Sequence, residues 1–413
     1  MTRAAPAGLP VPADFAPAPT RADLERWSDA DHAARPARIE RVRARFADAG
    51  IDAYFGVRRE HMRYLTGVSL GEGEEKVAGN SGQFILGGDS LMVLADSRYT
   101  IQVRREAPDA RLVEVYGDLP ARWPGLVASV GARRVGMEAG FVSQAVWTRL
   151  AAAAPDVELV PIDGWVEADR AVKEPAEIER IAAACAVADR ALATLLPEIR
   201  GAVTEAQLAL RLEWLIRSGG AEALAFDVAC LSGPEAALPH GSPGDRPVIE
   251  GAVLLFDFGA QVAGYRSDMT RTLFVGTPTE RDLGIHALVG RAQAAAIAAL
   301  ETAVADTPAG PLPSGRAIDA VAREVIATAG HDDHFGHGTG HGIGLATHEL
   351  PSLGRRAADV PLPSPTVFSV EPGVYLDGEM GVRIEDLVLL DAAAGRVERL
   401  TLFPREPLAL AGG

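Results

Sequence analysis

Apolar positions recur at helical spacing through "ARPARIERVRARFADAG", where Ile39, Val42, Phe46 and Ala49 share one stripe and Gly50 offers a natural C-terminal stop. A strand over Ala53–Val57 follows. The stretch "SGQFILGGDSLMVLADSRYTIQVRREA" predicts two strands around "GGDS" and then a helix. "RRVGMEAGFVSQAVWTRLAAAAPDVELVPID" repeats strand, helix and strand, ending near Ile162. The alternation predicts an α/β domain over residues 35–165. Residues 1–34 read as a flexible extension, because alanine and proline dominate its start, and the prolines with Asp14 interrupt any signal-peptide core.

A linker over residues 166–174 leads to a second domain, 175–413. Pro175 suits a first helical position, and Ile178, Ile181, Cys185, Ala188 and Leu192 trace one apolar stripe. Helices are predicted over about 175–197, 204–219, 279–304 and 314–329, alternating with pairs of strands. No short-period repeat occurs. A looser symmetry does: two strand pairs, each carrying two acids, flank a stretch rich in glycine and histidine.

Composition narrows the function. The chain has 413 residues, long enough for two domains, and 48% of them are hydrophobic. A net charge of −16 argues against a nucleic-acid partner, whose phosphates need a basic surface. No apolar run approaches the roughly 20 residues of a membrane span. Cys185 and Cys230 have neither metal nor redox spacing, so they read as buried apolar residues of a protein in a reducing cytoplasm. Lysine occurs only at Lys76 and Lys173, the other basic residues being arginine.

The first acidic pair lies in "AVLLFDFGAQVAGYRSDMTRTLFV". Asp257 and Asp268 are symmetric about Val262–Ala263, which predicts direct opposition across an antiparallel hairpin. The second lies in "TVFSVEPGVYLDGEMGVRIEDLVLL", where Glu371 and Glu385 are symmetric about Gly378. An isolated acid in such a turn commonly caps the backbone or stays solvated. Two opposed pairs among apolar strand residues instead repel one another unless a cation lies between them.

Between the hairpins runs "FGHGTGHGIGLATHEL", residues 335–350, with three histidines and five glycines in sixteen positions. That much glycine is costly in a helix, about 1 kcal/mol per residue against alanine. It is useful where strands must approach closely. His341, ringed by Gly338, Gly340, Gly342 and Gly344, is the best-placed nitrogen ligand. Four carboxylates and one imidazole make a hard, oxygen-rich site with room for two divalent ions. Two ions about 3.5–4 Å apart activate water and polarise a carbonyl, which points to hydrolysis.

These residues resemble the pita-bread metallopeptidases, which include methionine aminopeptidase, aminopeptidase P and prolidase. The order Asp257, Asp268, His341, Glu371, Glu385 matches, together with "LPHG" at 238–241, "DFG" at 257–259, "SDMTRT" at 267–272, "HGTGHGIGLATHE" at 337–349, "EPG" at 371–373 and "RIED" at 383–386. The resemblance covers residues 175–405, and the α/β domain before it is similar to the N-terminal domain of aminopeptidase P and prolidase. It implies an α/β N-terminal domain followed by an α+β pita-bread catalytic domain, creatinase/aminopeptidase-like. It implies that Asp257 ligates one ion, His341 and Glu371 the other, and that Asp268 and Glu385 bridge both. It further implies that His240 and His348 stabilise the scissile carbonyl and shuttle protons, that Glu371 is the acid/base, and that His337 and Arg383 serve substrate binding and orientation.

The activity so implied is an exopeptidase cleaving before proline in peptide substrates, with a lean to Xaa-Pro aminopeptidase over Xaa-Pro dipeptidase. Mn²⁺ is the favoured metal, with Co²⁺, Zn²⁺ or Fe²⁺ able to substitute. The resemblance also implies a homodimer. A metal-free creatinase-like hydrolase and an inactive peptide-binding module are the competing readings, both disfavoured because all five ligands are present; metal content separates them. His331 and His334 read as surface residues, and His32, His61 and His286 carry no signal.

Overall fold

A computed structural model describes residues 9–70, 81–200, 203–305 and 311–410. Chain contacts divide these into two units, residues 28–169, and residues 9–27 with 170–410.

In the 28–169 unit, six strands form one mixed sheet. In spatial order they are Arg111–Glu114, Leu91–Ala95, Gln83–Gly87, Ala53–Gly56, Arg134–Glu138 and Glu158–Ile162. The two strands flanking "GGDS" pair antiparallel, whereas Ala53–Gly56, Arg134–Glu138 and Glu158–Ile162 run parallel. Ala53–Gly56 and Gln83–Gly87 are buried along their whole length. This explains why their apolar runs do not alternate. A polar cluster lies inside: the buried Glu138 carboxylate accepts from Tyr54 Oη (2.9 Å), Val57 N (2.7 Å) and Arg58 N (2.8 Å), with His61 Nδ1 at 2.7 Å.

The described part of the N-terminal extension departs from the expected flexible tail. A 3₁₀ turn, Pro12–Asp14, precedes a helix, Arg21–Arg43. Phe15 stacks on Phe403 with ring centroids 6.1 Å apart, and Trp27 Nε1 donates to Glu179 at 2.8 Å. Two buried aromatics hold this segment in the core of the 170–410 unit. The stripe from Ile39 marked only the C-terminal part of this helix, because residues 21–33 are mostly polar or small, and the stripe's end falls in a separate short helix, Phe46–Ala49.

The larger unit has two halves, each with a helix pair and its own core. Helices Pro175–Leu195 and Glu205–Ser218 pack with strands Ala229–Ser232, Val253–Phe258 and Met269–Val275. Helices Glu280–Ala305 and Gly315–Thr328 pack with Thr366–Val370 and Asp386–Asp391. Thr204 caps its helix through Gln207 N, and Ser314 caps the last through Ala317 N. Glu280–Ala305 is long and apolar enough to span a bilayer by composition, but Leu288, Val289, Ala292, Ala296 and Leu300 fill the second core.

The hairpin geometry corrects one expectation. Ala263 (φ 46°) and Gly264 (φ 85°) form the turn, so Gln261 faces Arg266 and Asp257 faces Thr270. Asp268 is therefore a diagonal neighbour of Asp257 rather than its direct partner. The turn centre lies one residue later than predicted, which moves the pairing by two and leaves both aspartates on one face. The other hairpin keeps its expected centre: Gly378 (φ 71°) sits in the turn, and the register from Val370↔Asp386 to Gly373↔Arg383 sets Glu371 opposite Glu385.

Candidate metal centre

Sheet edges from both halves of the larger unit converge on a cleft of about 390 Å³. Its lining includes Asp257, Asp268, His341, Glu371 and Glu385, together with His240, His337, His348 and Arg383. All nine residues singled out in the sequence are thus brought to one cavity.

Glycine permits the convergence. A Cβ on Gly340 would lie 1.8 Å from Ser369 O, and one on Gly342 would lie 2.1 Å from Leu350 O. The strand Gly340–Gly342 can therefore thread between its two neighbours only without side chains at those positions. His341, between them, presents its ring to the acids. Its Nδ1 lies 3.1 Å from Gly342 O, so the tautomer with hydrogen on Nδ1 donates there and leaves the Nε2 lone pair free. Nε2 is 3.3 Å from Glu371 Oε1 and 3.6 Å from Asp268 Oδ2.

Ligand atoms of Asp268, His341 and Glu385 all lie within 4.8 Å of one another. Thr270 Oγ1 donates to Glu385 Oε2 at 2.6 Å, while Glu385 Oε1 is buried without a hydrogen-bond partner. An orphaned carboxylate oxygen costs about 1–3 kcal/mol. Burial and mutual repulsion raise the Asp268 and Glu385 carboxyls well above their ordinary range, Glu385 acting most on Asp268, and Glu371 most on Glu385. Glu371 differs: burial opposes its ionisation, but His341, His337, Arg383 and Ser369 outweigh burial and hold it below the usual value. Oxygen donors, crowded negative charge and an unsatisfied oxygen fit a divalent cation site.

Arg383 fastens the rim. Its guanidinium meets Asp257 Oδ2 at 2.5 Å and Tyr375 Oη at 2.9 Å, and its Nε donates to Thr270 Oγ1 at 2.8 Å. Tyr375 Oη in turn lies 2.8 Å from His337 Nε2. His341 and His348 rings are 4.4 Å apart, and burial with His341 lowers the His348 pKa, keeping that ring neutral near pH 7.

Comparisons with known proteins agree. The pattern described as metallopeptidase family M24 matches residues 179–392. The chain belongs to the M24 metallopeptidases. The creatinase/prolidase N-terminal domain pattern matches residues 38–172 of this M24 protein. The protein is 38% identical to a Xaa-Pro dipeptidase of Pyrococcus furiosus over 251 residues, covering 61% of this chain and 69% of the relative. A solved Xaa-Pro dipeptidase from Bacillus anthracis is similar with a TM-score of 0.81 at 32% identity, covering 91% of this chain and 100% of that one. An X-Pro aminopeptidase structure from Thermotoga maritima is similar with a TM-score of 0.76 at 34% identity, covering 87% and 98%. The fold of the M24 protein is accordingly a creatinase-type N-terminal domain followed by a pita-bread catalytic domain.

Sequence reasoning missed the residues that hold the candidate ligands. Thr270 and Tyr375 stood inside or beside quoted motifs without a role, and Ser369, which donates to Glu371 Oε1 at 2.9 Å and accepts from His341 N at 3.0 Å, carried no signal. Glu349 ends the quoted motif at 337–349 but carried no role of its own. Its buried carboxylate accepts from Arg170 and from Ala346 N (2.7 Å), with Lys173 Nζ at 3.4 Å. One of the chain's two lysines is thus spent inside the catalytic unit, holding the loop that carries His348.

The paired cations take the Glu349 carboxyl down to about 2. A carboxyl so depressed stabilises the fold above its unfolded pKa of about 4.3, and the contribution is lost as pH falls toward 2. Glu349→Ala removes the buried carboxylate that Arg170 and Lys173 face and is expected to cost about 3–5 kcal/mol at neutral pH. Denaturant unfolding from pH 7 to pH 2.5 checks this: the gap to wild type should narrow below about pH 4. A constant gap would contradict the assignment.

Proposed function

We propose that this M24 protein is a Xaa-Pro exopeptidase working with two divalent ions, acting foremost as a Xaa-Pro dipeptidase. The observation that carries the reading is the cluster of Asp268, His341 and Glu385, with Glu385 Oε1 unsatisfied, in one cleft with Asp257 and Glu371. Asp257 would hold one ion, His341 and Glu371 the other, and Asp268 and Glu385 both. When bound, such ions supply Lewis acidity, which acidifies water and polarises a carbonyl.

The chain's own groups supply the rest. Glu371, whose carboxyl is held below its usual value, is placed to take a proton from the attacking water and pass it to the leaving proline nitrogen. Expelled without that proton, the proline nitrogen would leave as a strongly basic amide anion, so its departure requires the delivery. Neutral His348 donates an N–H to the scissile carbonyl oxygen as negative charge develops there, with His240 lining the same cleft. Arg383 holds Asp257 in place, and His337, fixed by Tyr375, forms part of the wall against which a proline ring packs. Mn²⁺ suits this oxygen-dominated set best, with Co²⁺, Zn²⁺ or Fe²⁺ as substitutes. A homodimer belongs to the same reading by family likeness, and a cytoplasmic setting does so with the support of two cysteines buried as free thiols.

The sequence alone leaned toward the aminopeptidase. The relatives shift that lean, because the Pyrococcus furiosus and Bacillus anthracis proteins are both named Xaa-Pro dipeptidases. The Thermotoga maritima likeness keeps the aminopeptidase as the second reading. Comparing a Xaa-Pro dipeptide with a Xaa-Pro-Xaa tripeptide on Mn²⁺-loaded protein separates them. The dipeptide is expected to have at least about tenfold higher kcat/KM, a difference of about 1.4 kcal/mol in transition-state binding. The inverse ratio would make it an aminopeptidase, and cleavage of neither would overturn the exopeptidase reading.

A further inference from the structure

Helix Glu280–Ala305 buries Leu288, Val289, Ala292, Ala296 and Leu300 in the second core. Among them sits Gln293, completely buried. A buried amide is tolerated only where its hydrogen bonds are met. Gln293 Nε2 donates toward Val370 O at 3.0 Å, Ile384 O at 3.2 Å and Asp386 Oδ2 at 3.0 Å, while Oε1 accepts from Arg405 at 3.1 Å.

Those two carbonyls occupy a particular place. The ladder between Thr366–Val370 and Asp386–Asp391 ends at Val370↔Asp386 and resumes only at Gly373↔Arg383. Glu371 and Glu385 stand in the interruption, and Pro372 beside them has no N–H to contribute. Their backbone N–H groups point away from each other's strand: Glu371 N donates to Thr339 O at 2.8 Å and Glu385 N to Thr270 O at 3.1 Å. Val370 O and Ile384 O, each one residue before a glutamate, accept from the Gln293 amide. One side chain from a helix thus takes the place of the missing ladder rung.

We propose that Gln293 is a positioning residue that sets the spacing of Glu371 and Glu385 by tying together the two backbones that carry them. The inference rests on the reading of those glutamates as metal ligands. It acts through the backbone and does not touch the ions, the substrate or the reacting atoms. Groups that orient ligands from behind in this way typically change metal affinity by about 10–100-fold when removed.

The test is Mn²⁺ binding by titration calorimetry on the full-length protein, with thermal unfolding measured in parallel. Gln293→Leu keeps bulk but removes the donor. Leu300→Ala, in the same core but remote from the interruption, controls for loss of stability alone. The expected result is about 10–100-fold weaker Mn²⁺ binding in Gln293→Leu and wild-type affinity in Leu300→Ala. Wild-type affinity in a folded Gln293→Leu, or equal weakening in both variants, would overturn the proposal. Should Gln293→Leu fail to fold, Gln293→Glu, which keeps length and an oxygen for Arg405 but replaces the amide donor, is read the same way. Failure of both to fold would make Gln293 a structural residue and also overturn it. Absence of Mn²⁺ binding by wild type would instead sink the metal reading itself.

Discussion

Glu385→Ala is expected to lower kcat/KM on a Xaa-Pro dipeptide by at least about 10³-fold and to abolish binding of both ions, and Asp268→Ala is expected to do the same. The magnitude follows from losing several kcal/mol of transition-state charge stabilisation, at about 1.4 kcal/mol per tenfold in rate. The joint loss follows from position. Asp268 and Glu385 both reach the shared cluster with His341, whereas Asp257 stands toward Arg383 and Glu371 toward His341. On the proposed assignment, removing either central carboxylate would leave each ion short of a ligand. Metal analysis after dialysis, paired with the assay, checks the prediction. Retention of two ions by either variant would contradict the shared roles, even if activity fell.

Added metal is expected to stabilise the protein, increasingly so as pH rises from 5 to 8. Asp268 and Glu385 have raised carboxyl pKa values without metal, first from burial and then from the other acids. A carboxyl raised on folding contributes stability below its unfolded pKa of about 4, and that contribution is lost as pH rises through the folded value. The metal-free protein therefore weakens with rising pH. Cation binding requires the ionised forms and releases protons, so affinity strengthens over the same range. At about 100 times Kd, binding adds about 2.7 kcal/mol. For a domain of this size that amounts to about 5–10 °C in Tm. Thermal scans with Mn²⁺ and with chelator, at several pH values, measure the gap. A gap that is absent, or that shrinks with rising pH, would contradict the account of the acidic cluster.

Much of the catalytic unit was legible because its elements follow simple periods. The helix expected over about 314–329 forms as Gly315–Thr328, with Ser314 at its N-terminus where a capping residue was available. The four acids and His341 were legible because their chemistry has few alternatives once they share a hairpin or a glycine-rich strand. The Asp257 hairpin was misjudged by one residue at its turn. Sequence symmetry cannot tell Val262–Ala263 from Ala263–Gly264, although only the second pair offers a glycine for a turn with positive φ. The supporting residues were illegible for a different reason. Thr270 and Gln293 act through hydrogen bonds to residues far along the chain, 115 positions away for Thr270 and Glu385, and Ser369 and Tyr375 each join a nearby partner to a distant histidine. No local pattern marks such partners. The His61–Glu138 cluster of the N-terminal domain escaped notice likewise, since His61 on a helix and Glu138 on a strand lie 77 positions apart.

Metal content set against activity tests the central claim most directly. The protein is stripped with chelator, titrated with Mn²⁺, and assayed on a Xaa-Pro dipeptide at each step. The account predicts no turnover in the stripped protein and full turnover at two ions per chain. Full turnover in the stripped protein, or a protein that takes up no ion, would contradict it.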